Sequence, residues 1–217
     1  MIRDRVVCFI DGLNLFHAIA RLKIPHLNWV DLQALLKFYI KSRDGEITQI
    51  LYFSAISTHM DESSQLKQQS YIKALQLRNI KPILGQFKQK DRYCSNCLSH
   101  FRVHEEKETD VNIALALLDL AYQNVYDRAL LITNDSDLAP AIHNVRERFP
   151  NKRITIVAPP LSRQCNELIQ AASDKIQIRV EHIERSLLPE VIVDASRMIF
   201  VNRPREYDPL LATRSTS

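Results

Sequence analysis

Four aspartates sit where an α/β chain gathers its chemistry. Asp11 ends the apolar run VVCFI, Asp135 and Asp137 follow the run ALLIT, and Asp110 opens the apolar segment TDVNIALALLDLAY. Carboxylate oxygens are the ligands that hard divalent cations such as Mg²⁺ and Mn²⁺ take, with waters and substrate phosphate completing the shell. Without a cation, four clustered carboxylates repel one another and some titrate upward. A bound ion also supplies what phosphodiester cleavage needs: an activated water and stabilised charge on the leaving oxygen. Singly, each residue has a plainer explanation. Asp11 before glycine is a turn, Asp110 a helix-start residue, and Asp135 and Asp137 a cap for the next helix. Their joint placement at strand ends and helix starts, all facing one rim, is what favours a site.

The elements that must position them follow from hydrophobic period. Short β-branched runs alternate with longer segments of helical period, the pattern of βαβ units and a mostly parallel sheet. Strands are predicted at 5–10, 47–55, 81–87, 128–132, 153–157 and 175–179, and helices at 13–22, 29–40, 62–77, 109–122, 138–148 and 164–171. Leu32, Leu35, Leu36 and Tyr39 mark the buried face of the second helix, and Thr109 is placed as the N-cap of the fourth. Right-handed crossovers make the fold class α/β, a three-layer α/β/α sandwich with a central, mostly parallel sheet. The domain is drawn over 1–183. Residues 88–107 form an insert read as a hairpin or ordered loop. A C-terminal extension, 184–217, carries VIVDASRMIFV as a docked strand pair and a mobile end.

Composition excludes several classes. The 217 residues are 46% hydrophobic, 25% charged and 7% aromatic, as in an ordinary globule. Only Gly12, Gly45 and Gly85 are present, too few and too scattered for a Walker loop or a dinucleotide fingerprint. No GxSxG nucleophile occurs, and the single aspartate of FIDGLN lacks the DxDx(T/V) pattern of one large phosphatase class. The Asp135-Ser136-Asp137 element occurs in sugar transferases too, but nothing else here supports a nucleotide-sugar site. The opening residues lack the core and cleavage site of a signal peptide, and no stretch reaches a membrane span, so the expected location is cytoplasmic. Cys8 and Cys165 are read as core thiols rather than disulfide partners. The net charge of +4 suits a nucleic-acid partner without requiring one.

Three segments together, FIDGLNLF, EKETDVNIALALL and LLITNDSDLAPAI, resemble the NYN family of PIN-like nucleases, in that family's order and across about residues 5–180. The resemblance implies a PIN-like sandwich, Mg²⁺ or Mn²⁺ dependence, and endonuclease action on RNA that leaves a 3′-hydroxyl and a 5′-phosphate. It assigns Asp11, Asp110, Asp135 and Asp137 to the metal site. Asn14 becomes the polar residue that contacts metal-bound water or phosphate. Thr133, Asn134 and Ser136 form the polar frame of the DSD element. Two departures stand out: Glu108 and Thr109 replace a frequent glycine and valine before Asp110, and Leu138 replaces a frequent phenylalanine. Both bear on substrate fit rather than on the carboxylates.

Within the insert, Cys94, Cys97, His100 and His104 form C-x2-C-x2-H-x3-H, a donor set that suits Zn²⁺. A compact zinc knuckle is one reading. A solvent-facing loop with free thiols and incidental histidines is the other, and it is preferred. Lys88, Lys90, Arg92, Tyr93, Phe101, Arg102 and Lys107 add cations and rings suited to a strand backbone and stacked bases, diluted by Asp91, Glu105 and Glu106. Lys107, just before the Asp110 helix, is the first candidate for substrate contact.

The expected function is a metal-dependent endoribonuclease with RNA as partner. The alternative is a catalytically weak RNA- or protein-binding module on the same fold, and a metal-dependent phosphatase is a third. A homo-oligomer is compatible with the sequence, which fixes no oligomeric state.

Overall fold

The computed structural model describes residues 3–41, 45–163, 165–194, 196 and 198–209. Strand β1 (Asp4–Asp11) carries the apolar run Val6 to Ile10, every member of it fully buried. Only a central strand covered by helices on both faces reads this way. Helix α1 (Gly12–Ala20) follows at once because the Asp11 side chain caps it. A 3-10 turn (Pro25–Trp29) and helix α2 (Leu32–Leu36) come next, then strand β2 (Gly45–Ala55), helix α3 (Glu62–Leu77) and strand β3 (Lys81–Cys94).

Strand β4 (Ser99–Lys107) turns back on β3, and helix α4 (Thr109–Tyr122) leads to strand β5 (Arg128–Ile132). Helix α5 (Ala139–Arg148), strand β6 (Arg153–Ala158), helix α6 (Asn166–Ala171) and strand β7 (Asp174–Gln177) complete the sheet. Helix α7 (Val180–Glu184) and the hairpin of β8 (Val191–Asp194) and β9 (Ile199–Asn202) close the described chain.

The seven-stranded sheet runs β4-β3-β2-β1-β5-β6-β7, with only β4 antiparallel to its neighbour. Val6, Cys8, Ile10, Ile50 and Tyr52 face Leu15, Ile19, Leu32 and Leu35 on one side. Val7, Phe9, Leu51 and Phe53 face Ile113, Leu117, Ile142 and Val145 on the other. The result is a three-layer α/β/α sandwich. After β4 the chain crosses to the far side of β1, so strand order reverses between β1 and β5. That point is where open α/β sheets bind ligands, beyond the carboxyl ends of the strands.

The structure departs from the sequence reading in two places and decides one choice left open there. The single helix predicted over 29–40 is a 3-10 turn and a five-residue helix. Asp31 accepts a hydrogen bond from Ala34 N at 3.0 Å, so the helix starts after it rather than running through it. The insert takes the hairpin alternative, as an extended two-stranded ribbon, rather than a knuckle or a loop. Thr109 does not cap α4: Glu108 occupies the N-cap position at φ 84°, and Glu106 Oε1 accepts from both the Thr109 N–H, at 3.1 Å, and its hydroxyl. The predicted helix start at Gln164 and the mobile end at 210–217 lie outside the described residues.

The segment after α7 is tied to the body through Trp29. Its indole N–H donates to Pro189 O at 2.9 Å, Leu188 N donates to Trp29 O at 2.9 Å, and Asp31 N donates to Ser186 O at 2.7 Å. Trp29, Ala74, Leu188, Ile192 and Val201 form a separate apolar cluster. Replacing Trp29 by alanine empties that cluster and orphans the Pro189 carbonyl. The expected loss is about 3 to 5 kcal/mol of folding free energy, read from the shift of the urea unfolding midpoint.

Candidate active site at the carboxyl edge of the sheet

Alternation along β1 points Val7, Phe9 and Asp11 toward the α4 layer. Asp11 is 4% exposed. Its Oδ1 accepts from Asn14 N at 3.0 Å and its Oδ2 from the Thr133 hydroxyl at 3.0 Å. The turn is tight: a Cβ on Gly12 would lie 2.4 Å from the Tyr52 ring and 2.7 Å from the Phe53 carbonyl oxygen, so glycine is required there.

Thr133 is fully buried and joins the two central strand ends. Its hydroxyl donates to Asp11 and accepts from Asp135 N at 3.1 Å. Asp135 caps the 3-10 turn Ser136–Leu138 by accepting from Asp137 N at 3.0 Å. Asp110 lies in the first turn of α4, half-buried beside the same edge.

Electrostatics reports their proximity. Burial pushes the Asp11 carboxyl up to about 6; the charges of Asp110 and Asp135 add to the rise, while the Asn14 and Thr133 hydrogen bonds oppose it. Asp110 is also raised, by burial first and then by Asp135, Glu106 and Asp137. No cation among the described residues forms an ion pair with any of the four aspartates. Asp11, Asp110 and Asp135 form the inner group, and Asp137 stands exposed outside it.

Among the described residues no three His, Cys, Asp or Glu side chains are gathered tightly enough to enclose a metal ion by themselves. The aspartates thus make an open rim. That arrangement does not fit an all-protein calcium cage of six to eight oxygens. It does fit Mg²⁺ or Mn²⁺, which keep waters and bind through one or two carboxylates together with substrate phosphate.

The remaining residues named from sequence divide. Asn14 lines an open cleft with His17, Arg21, Asn134 and Ser162. The Asn134 amide is spent on the chain beside it, donating to Arg163 O at 2.9 Å and accepting from Cys165 N at 3.0 Å. Ser136 is exposed, and Lys107 pairs with Glu105 at 3.0 Å. Two contributors escaped the sequence reading: Glu106, which bonds Thr109 and raises Asp110, and Arg21 of the cleft. Glu106 is revealed by its hydrogen bonds to Thr109, three residues on.

Cys94 and Cys97 lie side by side, but His100 and His104 are not brought to them. Cys94 pairs with Ser99, His100 lies on the opposite ribbon face, and His104 is five rungs away, about 17 Å. His104 instead stacks on His59, with ring centroids 4.2 Å apart.

The raised Asp11 carboxyl has a thermodynamic sign. Folding favours its neutral form, so its contribution to stability is fully present below about pH 4 and is lost as pH rises through about 6. Metal-free Asp11→Asn protein, neutral throughout, is expected to be more stable than wild type at pH 8 by on the order of 3 kcal/mol. The gap closes toward pH 4. Denaturant midpoints measured in chelator across this range check it.

Known proteins place the chain in a family. A Vibrio parahaemolyticus protein of unknown function, known from its crystal structure, matches with a TM-score of 0.60 at 19% identity, over 86% of this chain and 97% of its own. That likeness is one of fold. The 6-hydroxy-3-succinoylpyridine 3-monooxygenase HspA of Pseudomonas putida is 40% identical over 55 residues, which are 25% of this chain and 17% of that enzyme's length. Among the described residues no helix is long and apolar enough to cross a membrane. The NYN domain matches residues 5–179, most of the chain and the whole of the rim described above, and the protein belongs to the NYN domain family.

Proposed function

We propose that the protein is a metal-dependent endoribonuclease that hydrolyses RNA at the Asp11, Asp110 and Asp135 rim. The observation that carries this reading is the buried, upshifted Asp11 carboxyl facing two further carboxylates, with no cation among the described residues paired to them. Membership of a family with a nuclease-like fold supports it. Mg²⁺ or Mn²⁺ would be held by one or two of these carboxylates, with Asp137 nearby and with water and substrate phosphate completing the shell. When bound, the ion supplies Lewis-acid stabilisation of phosphate charge and a more acidic water.

The chain's own groups prepare the site. Thr133 and Asn14 N–H fix both oxygens of Asp11, so the carboxylate does not have to be ordered when substrate arrives. Asp110 opens a helix, whose positive end favours its ionised form. Asn134 holds Arg163 and Cys165 beside the rim and sets one wall of the neighbouring cleft.

Purified protein is expected to cleave single-stranded RNA in Mn²⁺ or Mg²⁺ and not in chelator. Asp11→Asn and Asp135→Asn should lower the rate by more than about 100-fold, the upper range for losing a group that only orients a metal ligand. Thr133→Val, which removes such an orienting group, should lower it about 10- to 100-fold. Equal cleavage by wild type and Asp11→Asn would identify a contaminant. No cleavage by folded, metal-loaded wild type would leave the binding-module alternative.

A further inference from the structure

The β3–β4 ribbon leaves the sheet after Gly85, the last residue that pairs with β2. It continues through nine unbroken rungs, from Gln86 opposite Lys107 to Cys94 opposite Ser99. At about 3.4 Å per residue it reaches roughly 27 Å past the carboxyl edge that carries the aspartates.

Strand alternation sorts its mixed charges onto two unlike faces. One face carries Lys88, Lys90 and Arg92 from β3, with Phe101, Glu105 and Lys107 from β4. Glu105 gathers the cations: Lys107 lies 3.0 Å from it, Lys90 3.9 Å, and Arg92 is hydrogen-bonded to it. One carboxylate therefore aligns three cations of a face that has four. Phe101 lies opposite Arg92 on this face, 47% exposed. The other face sets Arg102 opposite Asp91 and Glu106 opposite Phe87, and it is partly covered where His59 packs on Phe87 and His104.

We propose that the cationic face of this ribbon binds single-stranded RNA and leads it to the aspartate rim. Phosphates meet the four cations and an unpaired base stacks on Phe101, a combination characteristic of single-strand binding surfaces. A duplex is disfavoured, because its bases already cover each other's faces. The strip ends at Lys107, three residues before Asp110, so a strand lying along it arrives beside the carboxylates. The inference rests on the nuclease reading for its substrate class, but binding and cleavage are separable.

The test is fluorescence anisotropy of a labelled single-stranded RNA of about 12 nucleotides, within the usual single-strand site size, in EDTA to suppress cleavage. For the triple variant Lys88→Ala, Lys90→Ala, Arg92→Ala the expected result is weaker binding, with the slope of log affinity on log salt falling by about 2. Phe101→Ala should weaken binding about tenfold with the slope unchanged. Asp91→Ala with Arg102→Ala, on the opposite face, should bind as wild type. Circular dichroism melting identifies variants that fold, and if the triple variant does not, Lys90→Ala alone should lower the slope by about 0.7.

Wild-type affinity and slope in the folded cation variants overturn the proposal. So does equal weakening by the opposite-face pair, or a preference for duplex over single strand. Cleavage assays run beside it: binding as expected without cleavage keeps the ribbon and removes the endonuclease, whereas cleavage with unaltered binding in the variants removes the ribbon alone.

Discussion

A carboxylate taken out of water at the end of a central strand must be met by donors, and that constraint organises this end of the molecule. Asp11 is met by a helix N–H and a buried hydroxyl, one from each side of the point where strand order reverses. The requirement reaches outward. Gly12 has to lack a side chain so that the chain can turn under Tyr52, and Thr133 has to be a donor beside an otherwise apolar layer. The donors do not fully offset burial, so the carboxyl stays well above the usual carboxylate range. A site that tolerates such a residue holds electrostatic strain, which the proposed cation would relieve.

The same acidity creates a difficulty. A rim of carboxylates repels the phosphate backbone it is proposed to act on. In this fold the positive charge is set apart from the rim, on a ribbon that shares no side chain with the aspartates yet joins them through Glu106 and Thr109. Gly85 marks the join, where a Cβ would meet Lys107 O at 2.5 Å. Separating attraction from chemistry lets each surface keep the sign of charge it needs.

Much of this was legible in sequence, because period is a local property. The all-buried runs before Asp11 and before Thr133 mark strands whose ends carry the site, and the four aspartates could be assigned to one edge without coordinates. What could not be read was non-local or competitive. Asp31 has the same identity whether it sits inside a helix or caps one; the Arg78 guanidinium 2.7 Å from it belongs to a distant helix end. Thr109 looks like a cap until Glu106 is seen to accept from both of its donors. The Cys and His spacing looks compact as a string, yet in an extended ribbon every residue adds length and alternate residues face apart. Charges that dilute one another in composition are sorted by the register of β3 on β4.

Trp29 carries a consequence of another kind. Family similarity ends at residue 179, but the backbone of Trp29, deep inside the matched region, is paired to Leu188, and its indole to Pro189. The stretch that matches the family and the stretch tied together by these bonds are therefore different lengths of chain. Amides of the 3-10 turn before α2 should share their hydrogen-exchange protection with the segment that follows α7, placing residues about 160 apart in sequence in one foldon.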